Sequence, residues 1–94
     1  GVTILEENAG TTGLRARPFS SEYPVAIDVF IGNGIVTDWT LKHRPISVIK
    51  TNAWADRLSQ TVSAVVAATH VATIPAVRTG GRIIFAYQYD VFVE

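Results

Sequence analysis

The segment IDVFIGNGIVTDW, residues 27–39, sets a period-two apolar run on each side of Gly32-Asn33-Gly34. Val25, Ile27, Val29 and Ile31 alternate with Ala26, Asp28 and Phe30. Beyond the glycines, Ile35, Thr37, Trp39 and Leu41 alternate with Val36, Asp38, Thr40 and Lys42. Successive side chains of a strand point to opposite faces, so both runs read as strands. Pairing them constrains the loop, because a slip of one residue moves every side chain to the other face. A two-residue Asn33-Gly34 loop would set Val29 opposite Asp38 and Ile27 opposite Thr40. A three-residue Gly32-Asn33-Gly34 loop sets Ile31 opposite Ile35, Val29 opposite Thr37, Ile27 opposite Trp39 and Val25 opposite Leu41, which keeps one apolar face. The last residue of such a loop is left-handed, so Gly34 is expected at positive φ. The glycines are then turn chemistry. A phosphate-cradling loop needs the free N–H groups of a helix N-terminus to follow, and here a strand follows.

The remaining segments suggest one α+β domain over residues 1–94, a mostly antiparallel sheet of five to six strands with one main helix packed on it. Residues 2–7, VTILEE, have the β-branched content of a strand, and residues 46–51 read as a short one. Residues 53–70 carry Trp54, Leu58, Val62, Val65, Val66 and Thr69 at helical spacing, with Asn52 or Thr51 as N-cap and His70 in the last turn, so a helix is expected there. After the RTGG turn, residues 82–94 read as the longest strand. Ile83, Phe85, Tyr87, Tyr89, Val91 and Val93 share one face, and Ile84 and Phe92 lie on the other.

Composition narrows the classes of function. Eight basic residues balance eight acidic ones, which leaves no electrostatic basis for general nucleic-acid binding. There is no cysteine, so disulfide and thiolate chemistry are excluded. The apolar stretches are too short for a transmembrane helix, and no membrane partner is expected. Charged residues make up only 17% of a chain that is 48% hydrophobic. An ordinary soluble domain carries about 25% charged residues, so contact with copies of itself is expected.

The predicted register sets Asp28 directly opposite Asp38, a like-charge pair that needs compensation. The pair could hold a hard cation or share a proton, but two carboxylates are few ligands for a cation. Arg or Lys from a neighbouring strand or subunit would compensate more simply, and Arg15, Arg17, Arg78 and Arg82 are available near turns. Together with Ile84 and Phe92, these residues form the candidate interface. The basic cluster KHRP, residues 42–45, could bind an anion, with His43 as proton carrier and Arg44 beside it. His70 is accounted for by a helix C-terminus, and FAYQY by a core strand. No G-x-S-x-G, H-E-x-x-H, Walker loop or paired Cys/His metal motif is present, so neither enzymatic activity nor a cofactor is expected.

Residues 51–70, TNAWADRLSQTVSAVVAATH, together with GGRIIFAYQYDVFVE and YPVAIDVFIGN, resemble the helix, closing strand and central strand of phage tail-terminator and head–tail joining proteins. The resemblance implies a small α+β subunit that forms rings by extending sheets between neighbours, located in the virion beside other virion proteins. It implies no catalytic residues. The reading is therefore a structural subunit of a homo-oligomer, most concretely a phage connector ring; outside a virion, a soluble protein is expected. The alternative is a small oligomeric ligand-binding protein or enzyme using Asp28, Asp38, His43 and Arg44.

Overall fold

Ile83, Phe85 and Tyr87 are completely buried, and the architecture is arranged around the strand that carries them. A computed structural model describes residues 22–92. In chain order the strands are β1 (Val25–Ile31), β2 (Asp38–Thr40), β3 (Thr51–Ala55), β4 (Leu58–Gln60), β5 (Ala64–Val66), β6 (Val71–Thr73) and β7 (Arg82–Gln88), with single 3-10 turns at Val48–Lys50 and Ala67–Thr69. They form two antiparallel sheets, one ordered β1-β7-β3-β4 and one ordered β2-β6-β5. Between them lies one core. Ala53, Ala55, Ile83, Phe85 and Tyr87 come from the first sheet; Leu41, Val62, Ala72 and Ile74 come from the second and its connections. Phe30 ties the two together, with its ring 5.1 Å from Trp39 and 5.8 Å from Phe85.

The α+β expectation is overturned: among the described residues no helix of seven or more residues occurs. The segment read as a helix is instead β3, β4, β5 and a 3-10 turn. Thr51–Ala55 fills the gap between β7 and β4, where Ala53 sits opposite Phe85 and Ala55 opposite Ile83. Small residues facing large ones let the core close, so the alanines that looked suited to a helix flank serve a packed strand. The supposed stripe does not share an environment, since Val62 is buried whereas Leu58 is 69% exposed and Val66 50% exposed. Thr61, Val62, Val65, Val66 and Thr69 are also β-branched, which weakens a helix. The turn that ends β3 is a two-residue hairpin, Asp56 (φ 49) and Arg57 (φ 74). Such turns usually carry Asn-Gly, and Asp-Arg gives no such signal.

The expected β1–β2 hairpin is also overturned. β1 pairs with β7, and β2 pairs with β6 in the other sheet. Gly32-Asn33-Gly34 is a crossing between sheets. Asn33 Oδ1 accepts the Ile35 and Val36 N–H groups at 2.9 and 2.8 Å, and Gly34 does adopt φ +84. The crossing is held against residues 77–81, with Gly32 N–H donating to Gly81 O, Gly34 N–H to Val77 O and Gly80 N–H to Gly32 O. A Cβ on Gly32 would lie 2.7 Å from the carbonyl oxygens of Val77 and Arg78.

The face of β1 is inverted relative to expectation. Ala26, Asp28 and Phe30 turn toward the core side, while Val25, Ile27, Val29 and Ile31 are 49–66% exposed. The closing strand is shorter than expected and ends at Gln88. Tyr89 makes a single bridge to Pro45, and Phe92 lies beyond the strand. Residues 46–51 hold a 3-10 turn before β3 rather than a strand of their own. The strand expected at residues 2–7 lies outside the described residues.

Two glycine substitutions separate steric from conformational demand. Gly34→Ala is expected to cost about 1–2 kcal/mol, the left-handed penalty of a residue bearing a Cβ. Gly32→Ala should cost more than Gly34→Ala, because backbone on the facing segment must move. Denaturant unfolding of both variants checks the order, and a Gly32→Ala variant as stable as the parent would contradict the crossing.

Candidate functional site

On the inner side of β1, Asp28 stands opposite Phe85 of β7. Its Oδ2 accepts the Tyr87 hydroxyl at 2.9 Å and the Lys42 backbone N–H at 2.7 Å. The same hydroxyl oxygen accepts the His43 N–H at 3.1 Å. Tyr87 has no exposed surface, so the phenol bridges a core strand to a carboxylate at the sheet's edge. Donors on an ionised oxygen are the strong kind of hydrogen bond. The compensation that the sequence sought from an arginine therefore comes from a phenol and a backbone amide.

The KHRP cluster is part of this framework. The His43 ring stacks on Tyr89, with centroids 4.1 Å apart and planes 21° from parallel. Asp90 N–H donates to Arg44 O at 2.9 Å, and Pro45 pairs with Tyr89. The four residues lace the end of β7 to the connection after β2.

Asp38 is not opposite Asp28. It lies in the other sheet, across from Thr73, whose hydroxyl donates to Asp38 Oδ1 at 2.7 Å. The register that made a carboxylate pair required β1 to pair with β2, so the pair dissolves with the hairpin. His70 sits at φ 64 after a 3-10 turn, not at a helix end, and its Nδ1 donates to Leu41 O at 3.1 Å. Among the described residues no group of three or more His, Cys, Asp or Glu side chains is placed to hold a metal ion, and no helix is long and apolar enough to cross a membrane.

The other candidates scatter. Arg78 Nε donates to Asp56 Oδ2 at 2.9 Å, on the surface, and Asp56 Oδ1 accepts the Arg82 backbone N–H at 3.1 Å. Phe92 is 77% exposed, and its ring meets that of Tyr23 in a T-shaped contact with centroids 6.2 Å apart. Arg15 and Arg17 lie outside the described residues. Ile84 stands on the outer face of the first sheet, opposite Val29 on one side and Trp54 on the other.

That outer face is what sequence reasoning missed. Val25, Ile27, Val29 and Ile31 form a row on β1, with Ala86 and Ile84 next to them on β7 and Trp54 beyond on β3. The alternation was visible, but an apolar row reads as core by default. Only the inward demand of Phe30 and Asp28 puts it outside. β1 is also a sheet edge with no neighbour on its far side among the described residues.

Tyr87→Phe removes the hydroxyl from both Asp28 and His43 while keeping the ring. It is expected to cost about 1–2 kcal/mol and to lower Tm by about 4–8 °C per kcal/mol lost, with the far-ultraviolet spectrum unchanged. An unaltered Tm would show that the bridge contributes nothing. No family model, curated protein or solved structure matches this chain.

Proposed function

We propose that the chain is a structural subunit that assembles with copies of itself through the outer face of the four-stranded sheet. The observation that carries this reading is the exposed row Val25, Ile27, Val29 and Ile31 on an edge strand. Large contiguous apolar surface on a soluble domain marks a contact site. Burying the exposed half of each of these side chains would contribute about 1 kcal/mol per residue. The chain has no net charge, so copies approach without overall repulsion.

The face favours a second copy as its occupant because it is self-complementary in kind, β-branched side chains against the same. Asp28 lies on the inner side of the edge strand, and an inward-pointing charge opposes strand-to-strand addition at that edge. Face-to-face contact avoids it, and a two-fold contact would bury the same patch on both subunits. The phage connector ring is the narrower version of the proposal. Of its supports, the expected helix is absent and Asp28 opposes sheet extension at the β1 edge, so the exposed apolar face is what remains. The catalytic alternative draws nothing from the geometry, since Asp38 stands in a different sheet from Asp28 and the His43 ring is stacked on Tyr89.

Native mass spectrometry and sedimentation of the full chain at micromolar concentration test the proposal. An oligomer is expected. Ile27→Asp, on an exposed position, should shift it to monomer while leaving the circular dichroism spectrum intact. A monomer at every concentration, or an oligomer indifferent to Ile27→Asp and Val29→Asp, would overturn it.

A further inference from the structure

Where β3 ends and β7 begins, the outer face runs into a cavity of about 430 Å³ lined by Trp54, Asp56, Arg57, Arg82 and Ile84. We propose that this cavity binds a small ring bearing an oxyanion, a carboxylate or sulfate carried on a saccharide or an aromatic ring. The site is built within one subunit, and it requires that the contact between copies proposed above, centred on β1, leave Trp54 and Ile84 uncovered.

Its floor and its walls differ in chemistry. Trp54 and Ile84 are cross-strand partners on the outer face and give an apolar floor. An indole offers a flat face to the C–H side of a sugar or to another aromatic ring. The walls are basic. Arg57 and Arg82 have no ion-pair partner among the described residues, and the one carboxylate of the lining is already engaged. Asp56 spends one oxygen on Arg78 Nε and the other on the Arg82 backbone N–H. Only the Arg78 guanidinium pairs with the carboxylate, and Arg57 and Arg82 line the cavity without an ion-pair partner among the described residues. Guanidinium forks match the planar oxygens of carboxylate or sulfate. The volume lies within the range of small-ligand pockets, and two arginines on a neutral chain are too few for general nucleic-acid binding.

A second observation is independent of the cavity. Arg57 holds φ 74 in the β3–β4 turn, a conformation that glycine adopts without penalty. No hydrogen bond or ion pair of its side chain among the described residues repays that strain. The two-residue hairpin itself requires positive φ at this position, and where glycine or asparagine is usual the chain places an arginine that lines the cavity.

The test uses the full chain labelled with nitrogen-15. Two tryptophans give two indole N–H signals, and Trp39 packs against Phe30 in the interior. Titration with glucuronate and with benzoate is expected to move the Trp54 indole and the Arg57 and Arg82 Nε–H signals saturably, leaving Trp39 unmoved. Binding of either acid supports the proposal, and the tighter one identifies the ring. Glucose, which lacks the anion, should bind at least about tenfold more weakly. Arg57→Gly should weaken the acid about tenfold without lowering Tm, because it relieves the turn; Arg82→Gln should weaken it similarly. Failure of both acids to give a saturable shift, equal binding of glucose, or unchanged affinity in both variants would overturn the assignment.

Discussion

The hydrogen bond from Tyr87 to Asp28 decides which side of β1 faces inward, and most of the remaining architecture follows from that orientation. A completely buried phenol needs a partner for its hydroxyl. Asp28 supplies it from the edge strand, and the backbone amides of Lys42 and His43 close the arrangement from the connection after β2. With Asp28 turned in, alternation turns Phe30 in as well, and its ring meets Phe85 of the same sheet and Trp39 of the other. One polar contact thus fixes the register in which the two sheets share a core.

The cost of that orientation appears on the opposite side. Every residue of β1 that would make a conventional core face is left in solvent, next to Ile84, Ala86 and Trp54. The domain therefore has an interior built partly on polar contacts and an exterior sheet face built from β-branched residues. Toward the β3–β4 turn the character of that face changes, and Arg57 and Arg82 border the apolar floor. The face combines an apolar area suited to a flat partner with a basic end suited to a small anion. The two uses meet at Trp54 and Ile84, so they coexist only where the contact between copies is centred on β1.

Several elements were legible in the residues. The alternation around Gly32-Asn33-Gly34 marked β1 and β2 as strands, Gly34 was readable as a left-handed position, and Ile83, Phe85 and Tyr87 were readable as one buried row. The helix was misread because Trp54, Leu58, Val62 and Val65 satisfy a period of 3.6 by coincidence of three strands and the connections between them. A hairpin turn made of Asp56 and Arg57 carries no glycine to interrupt the pattern. The Asp28/Asp38 pair was misread for a related reason. Neighbouring strands in sequence usually pair, and here each chose a partner far along the chain. Of the site residues, Ile84 and Arg82 were named from the sequence. The cavity around them was not, since Trp54 and Arg57 were assigned to a helix.

The sequence by itself determined the chain's local grammar: period-two runs, the left-handed glycine, the absence of cysteine and the balance of charge, all properties of neighbours within a few residues. The tertiary structure alone decided which runs pair, which face of β1 is buried and which charges meet. Those outcomes depend on contacts between residues tens of positions apart, such as Asp28 with Tyr87 and Gly32 with Val77. An alternating strand has two possible faces, and nothing in its own residues tells which one the rest of the molecule will cover. Here the inward face carries Phe30, packed on Trp39 and Phe85, and Asp28, bonded to the buried Tyr87 hydroxyl, and the row of four aliphatic side chains is left on the outside of an edge strand.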